Sequence, residues 1–379
     1  ACGMIVKNPD CLVIGAGALG LALAHTLAGH GAAVTLLDRG VAGGEASWAG
    51  AGILSPLPPW AYPDAVTRLA MAGAALYPAL AGELRAATGM DPELLRSGML
   101  VLPEHDAATA PAWCSRHDLA MRAVPARDVL PSCASPARGL WLEDVMQVRN
   151  PRLLAALRAR LAQQGVRCLE QTTVTGLATD GRRILHVRTP AGELSAANYV
   201  VAAGAWSRQL LGEHALAVDI RPVRGQMLLY QARPGQIGAI VLQNGIYVVP
   251  RADGHVLVGS TLEDAGFDKS TTDAARRALH AAATALFPLL ADAPLVAHWA
   301  GLRPGSPGNV PTIGRHPTLE NLYLNSGHFR YGVTMAPASA RILADLMLGR
   351  PPMLDPTPYR WPTSAPPHPH NTICCAPLT

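Results

Sequence analysis

Two arginines and a tyrosine are the side chains in this chain best suited to hold a small charged molecule. Arg303 sits in the apolar, turn-rich run Trp299-Ala300-Gly301-Leu302-Arg303-Pro304, and its planar fork can donate two parallel hydrogen bonds to a carboxylate. Arg330 lies in a glycine-bounded loop, Gly327 to Gly332, directly before a helical pattern, where backbone amides can face a negative group. Tyr247 lies mid-strand, where packing on a sheet face competes with a place in a pocket. Each arginine also has an ordinary alternative: a solvated surface head for Arg303, loop stabilisation for Arg330. The thirteen histidines show no HExxH or other metal spacing, so no metal is expected. Neither GxSxG nor a nucleophilic cysteine setting occurs. A bound redox cofactor is then the most economical source of reactivity.

The element that would position such a cofactor is Cys11 to Arg39. Cys11-Leu12-Val13-Ile14 reads as a buried parallel strand. Gly15-Ala16-Gly17-Ala18-Leu19-Gly20 follows at once. Leu19, Leu21, Leu23, Ala24 and Leu27 recur at helical spacing, and Val34 to Leu37 forms a second strand ending on Asp38-Arg39. The first two glycines allow a tight turn and close approach to a pyrophosphate at the helix N-terminus; the third lets helix and strand pack closely. Asp38 can accept from a ribose diol, which favours FAD or NAD over NADP. The small-residue tract Gly43 to Leu54 then reads as backbone running along a large flat ligand, with Ala46, Ser47, Gly52, Ile53 and Leu54 as candidate contacts. A strand at Tyr199–Ala202 running into Ala203-Gly204 is a third place where a cofactor can cross the backbone. With the Arg330 loop, these segments form contacts along one long ligand and narrow the choice to FAD.

Between these pieces the pattern is α/β. Residues 64–87 are helical, Ser97–Leu102 a short strand, and Pro103–Leu140 mostly loop and short helix. Asn150-Pro151 opens a helix that stops at Gly165. Strands are expected at Val166–Glu170 and Thr172–Ala178, with a hairpin across Thr179-Asp180-Gly181. From Arg221 to Leu262 the period changes to two, with strands at 227–230, 246–250 and 255–259, the last pair joined by Ala252-Asp253-Gly254. An amphipathic helix spans 272–286, Leu302-Arg303-Pro304-Gly305 reads as a corner, and a helix covers roughly Thr334–Leu348. Nine prolines in the last thirty residues suggest a docked strap and then a disordered end.

Composition narrows the class. At 379 residues, 49% hydrophobic and 15% charged, the chain can bury a large core and carries two domains by expectation. A net charge of +4 without a dense basic run disfavours nucleic acid. Seven scattered cysteines suggest neither a disulfide framework nor a CxxC metal site, so the expected compartment is the cytoplasm. No membrane span is expected, and a homo-oligomer is left open.

Taken together these segments resemble the D-amino-acid-oxidase superfamily of FAD enzymes, and within it the glycine oxidases of thiamine biosynthesis. The resemblance rests on Gly15–Gly20, Ala46–Pro56, Val201–Trp206, Val223-Arg224-Gly225-Gln226, Tyr247–Arg251, Gly301–Pro304 and Gly327–Gly332. It implies a Rossmann-like, glutathione-reductase-like FAD domain (residues 10–85, 146–218 and 310–352) interleaved with an α+β substrate domain on a mixed or antiparallel sheet (86–145 and 219–309), before a Pro-rich tail, 353–379. It implies that Arg303 binds a substrate carboxylate, Tyr247 lines the pocket and Arg330 lies near flavin and substrate. It also implies that His328, Gly332, Val333 and Thr334 touch the flavin ring and that Val174 touches the adenosine portion. Leu262 stands where such enzymes can have Met beside the substrate, and Asp38 where Glu is common. With no cysteine between Cys168 and Cys374, the FAD is expected to be non-covalent. The implied reaction oxidises glycine or another small amino acid to the imine, with oxygen or another electron acceptor taking the electrons; the alternative is a D-amino acid or proline-type dehydrogenase using a non-oxygen acceptor.

Overall fold

A computed structural model of the chain describes residues 8–103 and 108–364. Its organising sheet holds Cys11–Ile14 at the centre, parallel to Val34–Leu37 on one side and to Asn198–Val201 on the other. The order, by residue range, is 312–315, 322–326, 198–201, 11–14, 34–37, 167–169, and the 312–315 edge strand is the antiparallel member. Both faces are covered: Val13 and Val200 pack into one core, Leu12, Ile14, Tyr199 and Val201 into another. That is why these strands read as unbroken apolar runs rather than alternating ones. The helix Ala18–Gly29 follows the central strand with no side chain at Gly20, where a Cβ would sit 1.8 Å from the Gly15 carbonyl oxygen. The helix Gly332–Met347 packs against it and against the long helix Asp64–Thr88. Gly73 makes that second contact close, since a Cβ there would lie 2.1 Å from the Thr334 carbonyl.

The second sheet has eight strands among the described residues, in the order 295–305, 221–231, 255–259, 246–250, 240–243, 99–101, 138–142, 122–125. It is mixed, because 240–243 runs parallel to 99–101 while its other pairs are antiparallel. Period two has its physical cause here. Met227, Tyr247, Val249 and Leu257 join the core facing the first sheet. Leu228, Tyr230, Val248, Val256 and Val258 join the core under the helix Asp273–Leu286. The Thr272 hydroxyl caps that helix by accepting from the Ala275 amide at 3.2 Å.

Several segments differ from expectation. Leu302 to Gly305 is the end of an 11-residue strand, Leu295–Gly305, not a corner. Pro304 is tolerated because the strand lies at the sheet edge, where a missing N–H removes no ladder bond on the open side. Within Thr172–Ala178, strand begins only at Gly176 (Gly176–Thr179); residues 172–175 line a cavity instead. Arg122–Pro125 and Arg138–Leu142 are strands in a stretch read as loop; their pairing with one another is a long-range event that short, Pro- and Gly-containing runs do not announce. The strap is docked as far as described: the Tyr359 hydroxyl donates to the Ala65 carbonyl at 2.6 Å and the Trp361 indole to the Ala215 carbonyl at 3.2 Å. The end read as disordered lies, from residue 365 onward, outside the described residues. Among the described residues no helix is long and apolar enough to cross a membrane and no group of three or more metal-capable side chains occurs.

Candidate active site

The two sheets face each other across a cavity of about 600 Å³, within the range of cofactor sites. The first sheet supplies its carboxyl ends. Gly15, Gly17, Ala18 and Leu19 form one wall, and Ala203 and Gly204 follow the neighbouring strand. Gly15 has φ +109°, and a Cβ there would lie 2.3 Å from the Ala202 carbonyl oxygen, so only glycine lets the two strand ends approach. The Ser47 hydroxyl accepts from the Ala18 amide at 2.8 Å, tying the small-residue tract to the helix N-terminus. Asp38 accepts from the Ala16 amide and the Gly40 amide, both at 2.8 Å, and so braces the glycine turn as well as facing the cavity. A second helix N-terminus, at Gly332, Val333 and Thr334, meets the same space. Two such termini favour an anionic ligand.

Buried polar atoms without protein partners mark where a ligand's own polar groups belong. Asn325 is fully buried, lines the cavity, and leaves both amide atoms unpartnered. Asn150 uses its amide nitrogen on the Ser47 carbonyl at 2.7 Å and leaves its oxygen unpartnered. The His328 ring shares Nε2 with the Ser339 hydroxyl at 2.8 Å and leaves Nδ1 unpartnered. Orphaned groups of this kind are otherwise rare in a folded core, so the lining fits a long, polar, anionic dinucleotide. Burial holds the His328 imidazole down at about 3, so it stays neutral in the fold. In the unfolded chain it titrates near 6.5, so below that pH the unfolded state binds the extra proton and stability falls as pH drops toward 3, by about 1.4 kcal/mol per pH unit. In denaturant titrations His328→Gln is expected to flatten this slope between pH 6 and 4; an unaltered slope would remove His328 from the acid response.

The second sheet supplies the other end. Arg303, Tyr247, Met227 and Gly225 line the cavity from three strands of that sheet, and Arg330 approaches from the loop before Gly332. The Arg303 guanidinium lies on bare backbone: a Cβ at Gly225 would meet its Nη1 at 2.2 Å and Nη2 at 2.3 Å. It donates from Nη2 to the Ser260 hydroxyl at 2.6 Å and from Nη1 to the Thr261 carbonyl at 3.3 Å. Behind it, Glu263 accepts from the Thr261 hydroxyl, from Arg224 Nη2 at 2.6 Å and from Gln226 at 2.8 Å. Burial opposes the Glu263 charge, but these donors outweigh it and hold its carboxyl below the ordinary range. The Tyr247 hydroxyl donates to the Met227 sulfur at 3.3 Å, and both side chains cover Gly259. The buried Arg251 donates to the Ala51 carbonyl at 2.8 Å and to Gln147 at 2.7 Å, clamping the small-residue tract onto the second sheet.

Of the residues singled out from sequence, Arg303, Arg330, Tyr247, Arg39, Ala46, Ser47, Gly52, Ile53, Val174 and His328 stand on this one cavity with the glycine turn and Gly332–Thr334. Three do not. Gly20 is spent on helix packing and Leu54 is buried in the core. Leu262 is half-buried outside the lining, while its neighbour Thr261 offers the carbonyl that Arg303 uses. Sequence reading passed over Gly225, Met227, Asn325 and Arg251 as site residues. The two glycines Gly225 and Gly301, paired across strands, were the available signal.

Residues 10–346 match the family model DAO, described as FAD dependent oxidoreductase. A glycine oxidase of Pseudomonas aeruginosa is 47% identical over 353 residues, 92% of this chain and 97% of that protein. A glycine oxidase of Pseudomonas putida is 44% identical, over 93% of this chain and 98% of that protein. The crystal structure of glycine oxidase from Geobacillus kaustophilus superposes with a TM-score of 0.90 at 28% identity, over 95% of this chain and all of that one. With the glycine turn, the long cavity and the match over most of its length, this chain belongs to the DAO family of FAD-dependent oxidoreductases.

Proposed function

We propose that the chain is a glycine oxidase: it oxidises glycine, or another small amino acid, to the imine and forms peroxide, in the cytoplasm and in service of thiazole and thiamine biosynthesis. The observation that carries the substrate class is Arg303, which lies against Gly225 and lines the same cavity as the flavin-side tract. A carboxylate paired with the guanidinium fork is held in one orientation, and orientation supplies much of the rate. FAD held along the glycine turn and the small-residue tract would supply the two-electron acceptor for the hydrogen on the amino acid's α-carbon, with oxygen as the final acceptor.

The chain's own residues set the stage for that exchange. Arg303 clamps the carboxylate and Arg330 adds positive charge from the facing loop. Tyr247 and Met227 wall off the space beside the α-carbon, with Gly259 leaving room for them and Gly225 for Arg303. Oxidation requires the neutral amine, whose nitrogen lone pair becomes the C=N bond as the α-hydrogen leaves. Among the described residues the lining at this end holds no carboxylate; Asp38 and Glu45 belong to the other end. No side chain is given the role of base.

Anaerobic mixing with glycine, sarcosine and D-alanine tests the reading. Glycine is expected to bleach the yellow flavin, and readmitted air to yield one peroxide per turnover. Bleaching without peroxide would move the chain to the dehydrogenases; no bleaching by any of the three would overturn the reading. The floor under Arg303 gives a second test. In Gly225→Ala the atoms nearest the added methyl belong to the end of the flexible Arg303 side chain, so the protein is expected to fold and keep FAD. The displaced fork should then raise KM for glycine by roughly a hundredfold, as a 1 Å misplacement can. Steady-state kinetics at saturating oxygen check it.

A further inference from the structure

At the Asp38 end of the cavity a loop of the second sheet meets residues of the lining. Residues 263–272 connect the strand His255–Gly259 to the helix Asp273–Leu286 and reach over to the first sheet's side. Their feet are fixed. Arg224 donates to Glu263 at 2.6 Å and to Asp268 at 2.9 Å, Asp268 accepts from the Ser270 amide at 2.8 Å, and Gln226 accepts from the Thr272 amide at 2.9 Å. So braced, the loop presents Phe267 and Lys269 to three residues that line the cavity: Arg39, Glu45 and Trp206. The Phe267 ring stacks on the Trp206 indole at 5.5 Å and 29°. The Arg39 guanidinium lies 3.5 Å from the centre of the same indole. Lys269 reaches both Glu45 oxygens at 3.1 Å, and Glu45 accepts from Arg39 at 3.2 Å.

Arg39, Glu45 and Trp206 line the cavity and yet are part-exposed, so they form its rim, and Phe267, 45% accessible, packs on them from outside. We infer that residues 264–270 are a clasp that retains the adenosine end of FAD, closing over the rim by the Phe267–Trp206–Arg39 stack and the Lys269–Glu45 pair. An aromatic at the tip of a polar loop otherwise exposes apolar surface to water for nothing. Here it completes a stack on the cavity wall next to the ribose-facing Asp38. The ion pair is exposed and yields to salt, so the stack carries most of the hold. In this arrangement the loop holds Trp206, Arg39 and Glu45 in place at the rim, and its parting from them precedes departure of the flavin nucleotide. The inference needs only the FAD of the family and stands apart from the identity of the amino acid substrate.

Release of flavin from the holoenzyme on dilution, followed by the rise in flavin fluorescence, tests it. Phe267→Ala should speed release about tenfold, as loss of an aromatic pair plus its burial implies, and Phe267→Trp should restore the parent rate. Lys269→Ala should speed release at low salt and match the parent at high salt. Release from Phe267→Ala at the parent rate would overturn the clasp, as would an increase that Phe267→Trp fails to reverse.

Discussion

Arg303→Ala is expected to purify yellow and to lose most of its affinity for glycine, with KM up by roughly a hundredfold or more. The side chain removed is the partner of a charge-assisted pair, and truncating such a partner costs about 2–5 kcal/mol. Cofactor binding should survive, because the FAD contacts proposed for this chain lie on the first sheet and the Arg251-clamped tract, while Arg303 rests on Gly225, Ser260 and Thr261. kcat should fall too, since a carboxylate without its fork no longer fixes the α-carbon. Arg303→Lys should recover little: an ammonium supplies charge but not two parallel donors. Stopped-flow reduction across glycine concentrations separates the two constants, and a KM equal to the parent's would remove Arg303 from the carboxylate site.

Gly15→Ala is expected to purify colourless and less stable, by about 3 kcal/mol or more, from positive-φ strain together with overpacking. The groups a methyl would strike are all backbone: the Ala202 carbonyl at 2.3 and 2.6 Å and the Ala203 Cα at 2.9 Å. None of them can swing aside, so the carboxyl ends of the two central strands must separate at the place proposed for the pyrophosphate. Gly17→Ala makes the contrast. Its methyl would meet only the Ser47 hydroxyl, at 3.1 Å, and a variant that keeps much of its flavin is expected. Flavin-to-protein absorbance ratios and thermal midpoints measure both effects. Full flavin content in Gly15→Ala would show that the strand ends do not need this approach.

Local pattern makes the cofactor side of this protein legible in its amino-acid sequence. Cys11 to Arg39 announces strand, turn, helix, strand and acid within one stretch, because each step depends on neighbours in sequence: an apolar run, glycines, a helical period. The same locality gives away the helix at Asn150 and the period-two strands at 246–250 and 255–259. The strands at 122–125 and 138–142 stay hidden, since short segments become strands only when a distant partner supplies their hydrogen bonds.

The amino-acid sequence by itself thus determined the fold class, the cofactor and, through arginine chemistry, the kind of group the other end should bind. Tertiary structure alone decided how that end is built. Whether Arg303 would be a surface head or a clamp depended on Gly225 and Ser260 reaching it from two other segments. It also set Met227 against Tyr247, left Leu262 outside the lining, and laid Phe267 on Trp206 across the cofactor rim. The physical reason is the same in each case. A backbone conformation is chosen largely by its own residues, but a pocket is made of side chains from separate strands, and their register and facing are settled only when two sheets pack.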